Sequence, residues 1–590
     1  MPSGNRIRGT SWISKMFSSE DGAQDRLIPR WIVLRALGLI YFSAFFSLVF
    51  QIRGLIGPRG ILPAQGYLDA VARHFGPGMR LWFAPTLLWL SSSDRAVMAL
   101  CWIGLAASLL AVLNLWPRAA LAVCFLCFLS FVAAAQEFSG YQSDGMLLEM
   151  GFLALFFVPP GIRPGWGRAH PPSRASLFLL QWEWFRIYFE SGLVKLLSGD
   201  QQWRNFTAMD QYYQNGPLPT WVGWYVEHFP HWFHAATVVA TLAMELGIVW
   251  VLFLPRRWRI ICFLIVTPWE LGVILTANYT FLNYLVLTLG FLLLDDRILL
   301  RWLPFLRKSF AAGPAPDSAR ALDEKPLPSL AAEPDSVAPA APADESSASP
   351  ATMQADEASG GENADPNPPP SPAPSFAAAR MARRWLSRAG LVVNAICITW
   401  VFYATTAELV RLCFPEAPVP MEPAAILEPF RIANQYGLFA VMTRGRYEIE
   451  FQGSNDGETW IPYPFRFKPQ GLNVAPGIYA PYQPRFDWNL WFASLGGWEQ
   501  NSIVPRTEVK LLNNDSDVLA LFAGNPFPGA PPKQVRAVLW RYWFTTREQK
   551  HATGDWWTRE LLGLYAPTLE REPDGRVGIV AVPQELPEHD

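Results

Sequence analysis

Residues 185–197, FRIYFESGLVKLL, hold Arg186, Glu190 and Lys195, and Glu183 stands just before them. Carboxylates and cations at spacings of three and four share one face of a helix, where they neutralise one another or exchange a proton. At about 100° per residue Glu183, Arg186 and Glu190 point one way, whereas Lys195 projects roughly 140° from Glu190. The first three read as a charge seam, and Lys195, near the helix end, as a cation that snorkels to water. The neighbouring residues are apolar enough for lipid, so the seam must face protein. Two readings follow: a structural seam that glues the helix into a bundle, or the wall of a polar cavity that holds a substrate or moves a proton. Glu149, Glu245 and Glu270, in other apolar runs, are candidates for the same interior.

Apolar runs of about 18 to 22 residues, enough to cross a bilayer, recur around the seam. Helices are predicted at 31–51, 95–115, 119–135, 145–159, 176–197, 232–254, 258–277, 281–294 and 390–407. The fold class is therefore an α-helical multi-pass membrane bundle of about nine spans, followed by a C-terminal extracytoplasmic domain that reads as all-β and sandwich-like. Basic residues collect on alternate flanks: Arg26 and Arg30; Arg118; Arg163, Arg168 and Arg174; Arg256, Arg257 and Arg259; Arg297, Arg301, Arg307 and Lys308. That bias puts the N-terminus inside and the C-terminus outside, although Arg53, Arg59, Arg73 and Arg80 sit in an outer loop. The N-terminal segment lacks the pattern of a cleaved secretory signal, so the first run is expected to stay as an anchor.

Of the 590 residues 51% are hydrophobic and 17% charged, with a net charge of -2, which leaves no basic footprint for nucleic acid. The six cysteines fall in or beside apolar runs and form no disulfide framework. The resulting domain map is a cytoplasmic tail 1–30, a transmembrane helical domain 31–309, a Pro- and Ala-rich disordered cytoplasmic linker 310–386, a final transmembrane helix 387–412 and a β domain 428–581. In RYEIEFQGSNDGETW, Tyr447, Ile449 and Phe451 alternate with Arg446, Glu448 and Glu450, and Asn455-Asp456-Gly457 marks a hairpin turn. A half-buried strand is expected there, in a domain able to fold alone.

His228, His231 and His234 in EHFPHWFH have ligand chemistry, but Pro230 breaks their helical spacing, so no metal is assigned. No phosphate-cradling loop or nucleophile elbow occurs, and no cofactor is implied. Aromatic residues gather around Arg485 and Asp487 with Trp488 and Trp491, and again at Trp556 and Trp557. Such groups form either a core or a recognition surface for a client protein.

The segments LRALGLIYFSAFFSLVFQIRGLIGPRGILPA, FRIYFESGLVKLLSGDQQWRNFTAM, GPLPTWVGWYVEHFPHWFH and ANYTFLNYLVLTLGFLLLDD resemble, in order, the lipase maturation factor family. So do YGLFAVMT, APYQPRFDWNLWFASLG, NPFPGAPPKQVRAVLWRYWFTT and GDWW in the C-terminal region. The sequence departs from that family at Asn215-Gly216 and at Tyr482. The resemblance implies a membrane-anchored folding or maturation factor for exported proteins, lipases among them, acting through its extracytoplasmic domain. It implies an endoplasmic reticulum membrane in a eukaryote, or the cytoplasmic membrane with a periplasmic domain in a bacterium. Residues 188–196 with Trp203 also resemble, more distantly, a segment of the vitamin K-dependent carboxylase superfamily. That shorter likeness implies an alternative, an integral membrane enzyme with Lys195 and Glu190 as its catalytic groups; otherwise no enzyme is expected.

Overall fold

The computed structural model describes residues 8–311 and 376–583. Most of the segment expected to be a linker, residues 312–375, lies outside the described residues. Helices stand at every predicted run: α1 (Leu27–Val49), α2 (Asp94–Val112), α3 (Pro117–Val132), α4 (Gln142–Phe157), α5 (Arg174–Leu197), α6 (His231–Leu246), α7 (Arg256–Thr276), α8 (Leu282–Gly290) and α9 (Phe376–Cys413). Their ends follow local chemistry. Pro117, with no N–H to satisfy, starts α3, and Ser173 starts α5 by accepting a 3.2 Å hydrogen bond from the Ser176 N–H.

Among the described residues five helical segments are long and apolar enough to cross a bilayer: Leu27–Val49, Asp94–Val112, His231–Phe253, Arg256–Thr276 and Ala389–Cys413. Length and apolarity thus support fewer crossings than the expected nine. α3 and α8 are apolar but short. α4 and α5 carry Asp144, Glu149 and the seam, because neighbours shield much of their surface. In the bundle, α5 packs against α4, α6 and α8, and α1 against α2, α8 and α4.

Contacts join the described residues before 314 and after 392 into one compact unit. A second unit, 314–392, is described only from 376 onward, as the first turns of α9.

The C-terminal region contains one antiparallel sheet of β1 (Arg446–Ser454), β2 (Ile461–Pro462), β3 (Gln534–Phe544), β4 (Trp557–Leu564), β5 (Thr568–Arg571) and β6 (Val577–Ala581), ordered β2-β1-β3-β5-β6, with β4 also on β3. The predicted hairpin is β1–β2, turned through Gly457 at φ 78°, a conformation glycine adopts without Cβ strain. The expected all-β sandwich needs correction. The apolar face of β1 and β3 is covered by two helices, α10 (Arg485–Ala493) and α11 (Ile503–Leu512), where a second sheet was expected. β1 is buried along its whole length rather than on one face. Its alternating charges are enclosed in pairs, Glu448 with Arg446 and with Lys468 at 2.8 Å, and Glu450 with Arg559 at 3.2 Å.

Candidate functional site

The charges of α5 sort into two groups. On the side toward α4, Arg186 pairs with Glu149, lies 3.8 Å from Glu190 and donates a 2.6 Å hydrogen bond to the Asn434 carbonyl. Asn434 and Tyr436 belong to a strap, residues 431–443, the last part of the connection between α9 and β1. Glu149 accepts hydrogen bonds from the backbone and side-chain amides of Asn434, both at 3.0 Å, and from the Tyr436 hydroxyl at 2.9 Å. Glu190 accepts the Tyr436 N–H at 2.6 Å. Arg186, Glu149, Glu190 and Tyr436 are all at most 1% exposed. A lone buried charge is expensive, and this arrangement offsets that cost with charge-assisted hydrogen bonds to backbone groups of the strap.

Glu183, the third expected member of the seam, is brought into no such contact. It is 0% exposed, and neither of its oxygens has a hydrogen-bond partner among the described residues. The true partner of Arg186 is Glu149, on another helix, and spacing along one helix carries no signal for it.

Farther along α5, Lys195 does not snorkel; it is 2% exposed. Its Nζ donates to the Ser191 carbonyl at 3.2 Å, to Glu245 Oε1 at 2.9 Å and to the Leu438 carbonyl of the strap at 3.0 Å. The Trp203 ring lies 5.2 Å from that Nζ. Close approach of α5 and α6 makes the pair possible. A Cβ on Gly192 would lie 2.8 Å from Glu245 Cβ, so only glycine lets the two helices meet there. Beyond the pair, Glu270 accepts from the Tyr188 hydroxyl at 2.7 Å and the Asn283 amide at 2.6 Å. These groups border a cavity of about 330 Å³ between α5, α6, α7 and α8, roofed by Leu438 and Phe439.

The strap is one of several seams between the C-terminal region and the membrane helices. Arg485 forms a two-pronged pair with Asp144 of α4, at 2.7 and 2.8 Å, and donates to the Phe138 carbonyl at 2.8 Å. Gln51 accepts the Arg485 N–H at 2.8 Å and donates to the Gln483 carbonyl at 2.9 Å and to the Tyr482 hydroxyl at 3.2 Å. Arg446 donates to the carbonyls of Gln214 and Pro217 in the segment between α5 and α6. Asn278, between α7 and α8, holds the backbone of Gly477, Tyr479 and Ala480.

Candidates for client recognition therefore sit mostly inside. Arg485, Asp487, Trp488, Trp491 and Trp557 are buried, and Trp556 is half-buried, with the Lys550 Nζ 3.2 Å from its ring centre. Rings so placed act as core, because their area is already removed from water. Burial also raises the Asp487 carboxyl to about 6, against hydrogen bonds from the Lys468 and Phe467 amides. The large apolar side chains that remain exposed in the sheet are Ile461 of β2, Leu561 of β4 and Val577, Ile579 and Val580 of β6.

The histidines go to separate partners. His228 bonds the carbonyls of Trp224 and Thr545, His231 bonds Asp210 and His234 bonds the Phe229 carbonyl. No group of three or more metal-ligating side chains occurs among the described residues. The catalytic alternative finds no support in the geometry. All three Lys195 donors are engaged, and Glu190 is held by a backbone N–H of the strap.

The profile described as Lipase maturation factor transmembrane domain matches residues 28–301, and that of the Lipase maturation factor C-terminal domain matches residues 432–567. The chain is 30% identical over 561 residues to lipase maturation factor 1 of Bos taurus, covering 92% of this chain and 89% of the relative. It is 30% identical over 591 residues to lipase maturation factor 2 of Gallus gallus, covering 92% and 81%. The human lipase maturation factor 1 is 29% identical over 564 residues, covering 92% and 88%. No solved structure matches the chain.

Proposed function

The chain belongs to the lipase maturation factor family, and from that premise we propose that it is a membrane-anchored maturation factor for exported proteins, lipases being its clients, acting through its C-terminal region. The observation that carries this reading is the alignment of 92% of the chain with 89% of a relative of that name, across both the membrane helices and the sheet region. The physical arrangement supports it. Strap, Arg485 and Arg446 fix the sheet region to the membrane helices.

The finer topology belongs to the same proposal: about nine crossings, with the tail 1–30 and linker 310–386 cytoplasmic, the final span 387–412, and the region 428–581 lumenal in an endoplasmic reticulum or periplasmic in a bacterium. Its support is the alternation of basic flanks. At the flank assigned to the cytoplasm, Arg30 donates to the His170 and Gly167 carbonyls at 2.6 and 2.8 Å.

The test is co-expression of the chain with a secreted lipase in cells that lack their own maturation factor. Active secreted enzyme should rise several-fold, and no rise with well-folded full-length protein present would overturn the reading. Replacing Leu561 and Ile579 by Glu, where the apolar side chains already face water, should leave the folded yield unchanged and lower the rise. An unchanged rise would move the client surface away from the outer strands.

A further inference from the structure

The cavity beside Lys195 has a polar end that its own walls leave incomplete. Lys195 spends all three donors on Ser191, Glu245 and Leu438. Tyr188 and Asn283 donate to Glu270, and the hydroxyls of Thr237 and Thr241 donate to the Phe233 and Thr237 carbonyls at 2.9 and 2.8 Å. What remains beside the Tyr279 hydroxyl is acceptor capacity. Glu245 Oε2 is ion-paired with the Lys195 Nζ at 2.9 Å, and no other donor reaches this buried oxygen among the described residues, so part of its lone-pair capacity is unfilled. Two carboxyl groups, Glu245 and Glu270, face one cation, so the wall disfavours an anionic head group.

The remainder of the lining is apolar and aromatic, and one side is open. α6 packs on α5, and α7 on α8, while α6 and α7 scarcely touch beyond the turn that joins them. Pro268 and Gly272, both exposed on α7, line the cavity. Pro268 also lacks the N–H that would bond the preceding turn. The gap is therefore at the lipid-facing surface of two membrane helices. Overhead, Phe439 is held at φ 57°, an uncommon conformation for a bulky residue that tertiary contacts must maintain. Its ring packs 5.0 Å from Tyr279 and 5.8 Å from Tyr212.

We propose that this cavity binds a membrane-resident amphiphile whose head group brings a hydrogen-bond donor, a hydroxyl or an ammonium, to Glu245, and whose hydrocarbon chain leaves between α6 and α7. A volume of about 330 Å³ encloses the head and the first part of a chain, and the lateral gap accommodates the rest. Binding there places the ligand directly beneath the strap, against Leu438 and Phe439.

The experiment uses the full chain in nanodiscs of phosphatidylcholine, a lipid whose head has neither hydroxyl nor N–H. Photoactivatable octadecanol, octadecylamine and octadecanoic acid are compared, with cross-linked peptides mapped by mass spectrometry. The alcohol, the amine or both should label α5, α6 or α7 about tenfold more than the acid. Labelling by the alcohol alone identifies a hydroxyl lipid, and by the amine alone an amine lipid. Gly272→Phe closes the mouth, and the absence of any atom within 4 Å of the Gly272 Cβ position leaves room for the new side chain. It should reduce labelling about tenfold with the melting temperature unchanged; Thr241→Trp, which fills the interior, should do the same. Equal labelling by the acid, no labelling at these helices, or labelling that survives both substitutions overturns the proposal.

Discussion

Arg186 and Lys195 lie on the same helix, both are buried and both have a glutamate partner from another helix, yet their surroundings differ. Around Arg186 the space is closed by α4 and the strap, and the partner carboxylate Glu149 receives the arginine, the Asn434 amides and the Tyr436 hydroxyl. Around Lys195 the cation is satisfied, but its partner Glu245 borders a cavity, and no donor other than Lys195 reaches its Oε2 among the described residues. A charge enclosed on every side contributes to holding the architecture together, whereas one that borders an open volume keeps capacity for a ligand. The difference arises from packing: α4 and α5 are in close contact, while α6 and α7 part.

The largest expected effect tests whether the enclosed charges join the two halves into one cooperative structure. Residues 428–583 expressed alone should show no cooperative unfolding transition, because Arg446, Arg485 and the strap lose their partners in the membrane helices. A sharp transition in that fragment would restore an autonomous domain. Next, Arg186→Ala should cost about 3 to 5 kcal/mol, the usual consequence of stranding a buried partner charge. Thermal melting and the yield of detergent-extracted protein read that loss. Lys195→Met should cost less, about 1 to 3 kcal/mol, since Glu245 borders a cavity that leaves its side chain room to rearrange. Equal losses from Arg186→Ala and Lys195→Met would erase the contrast drawn between the two sites.

A milder contrast separates the sheet region from the membrane helices and is read by pH. Burial raises the carboxyl of Asp487 to about 6 and raises that of Glu508, in the latter case against a hydrogen bond from the Ala537 backbone. A raised carboxyl pKa means that the folded state keeps a proton the unfolded chain releases. Stability of this region should therefore fall as pH rises from about 4 to 6 for the Asp487 contribution. Melting temperatures of the full chain across that window measure the slope. Glu508→Gln should raise the melting temperature at neutral pH and leave it nearly unchanged in acid. The smallest effect is expected at Glu183, where Glu183→Gln removes no hydrogen bond and should change stability by less than about 1 kcal/mol. A loss as large as that of Arg186→Ala would mean that Glu183 belongs to the enclosed network after all.

Hydrophobic periodicity along the chain determined where the membrane helices lie, because a run long and apolar enough for lipid has few other stable forms. Alternation in RYEIEF and the Asn-Asp-Gly turn likewise determined the β1–β2 hairpin. Composition and spacing also identified Arg186 and Glu190 as charges that must face protein. Only the tertiary structure decided what they face. Glu149, Asn434 and Tyr436 are remote in sequence from Arg186, and a helical wheel reports directions around one axis, not the neighbours it meets. Lys195 looked like a snorkelling end because its distance from the helix terminus was visible, while the α6 helix and the strap that cover it were not. The aromatic blocks around Arg485 had the same composition whether core or surface. Their burial was decided when α10 packed between the sheet and the membrane helices, where Asp144 of α4 supplies the countercharge.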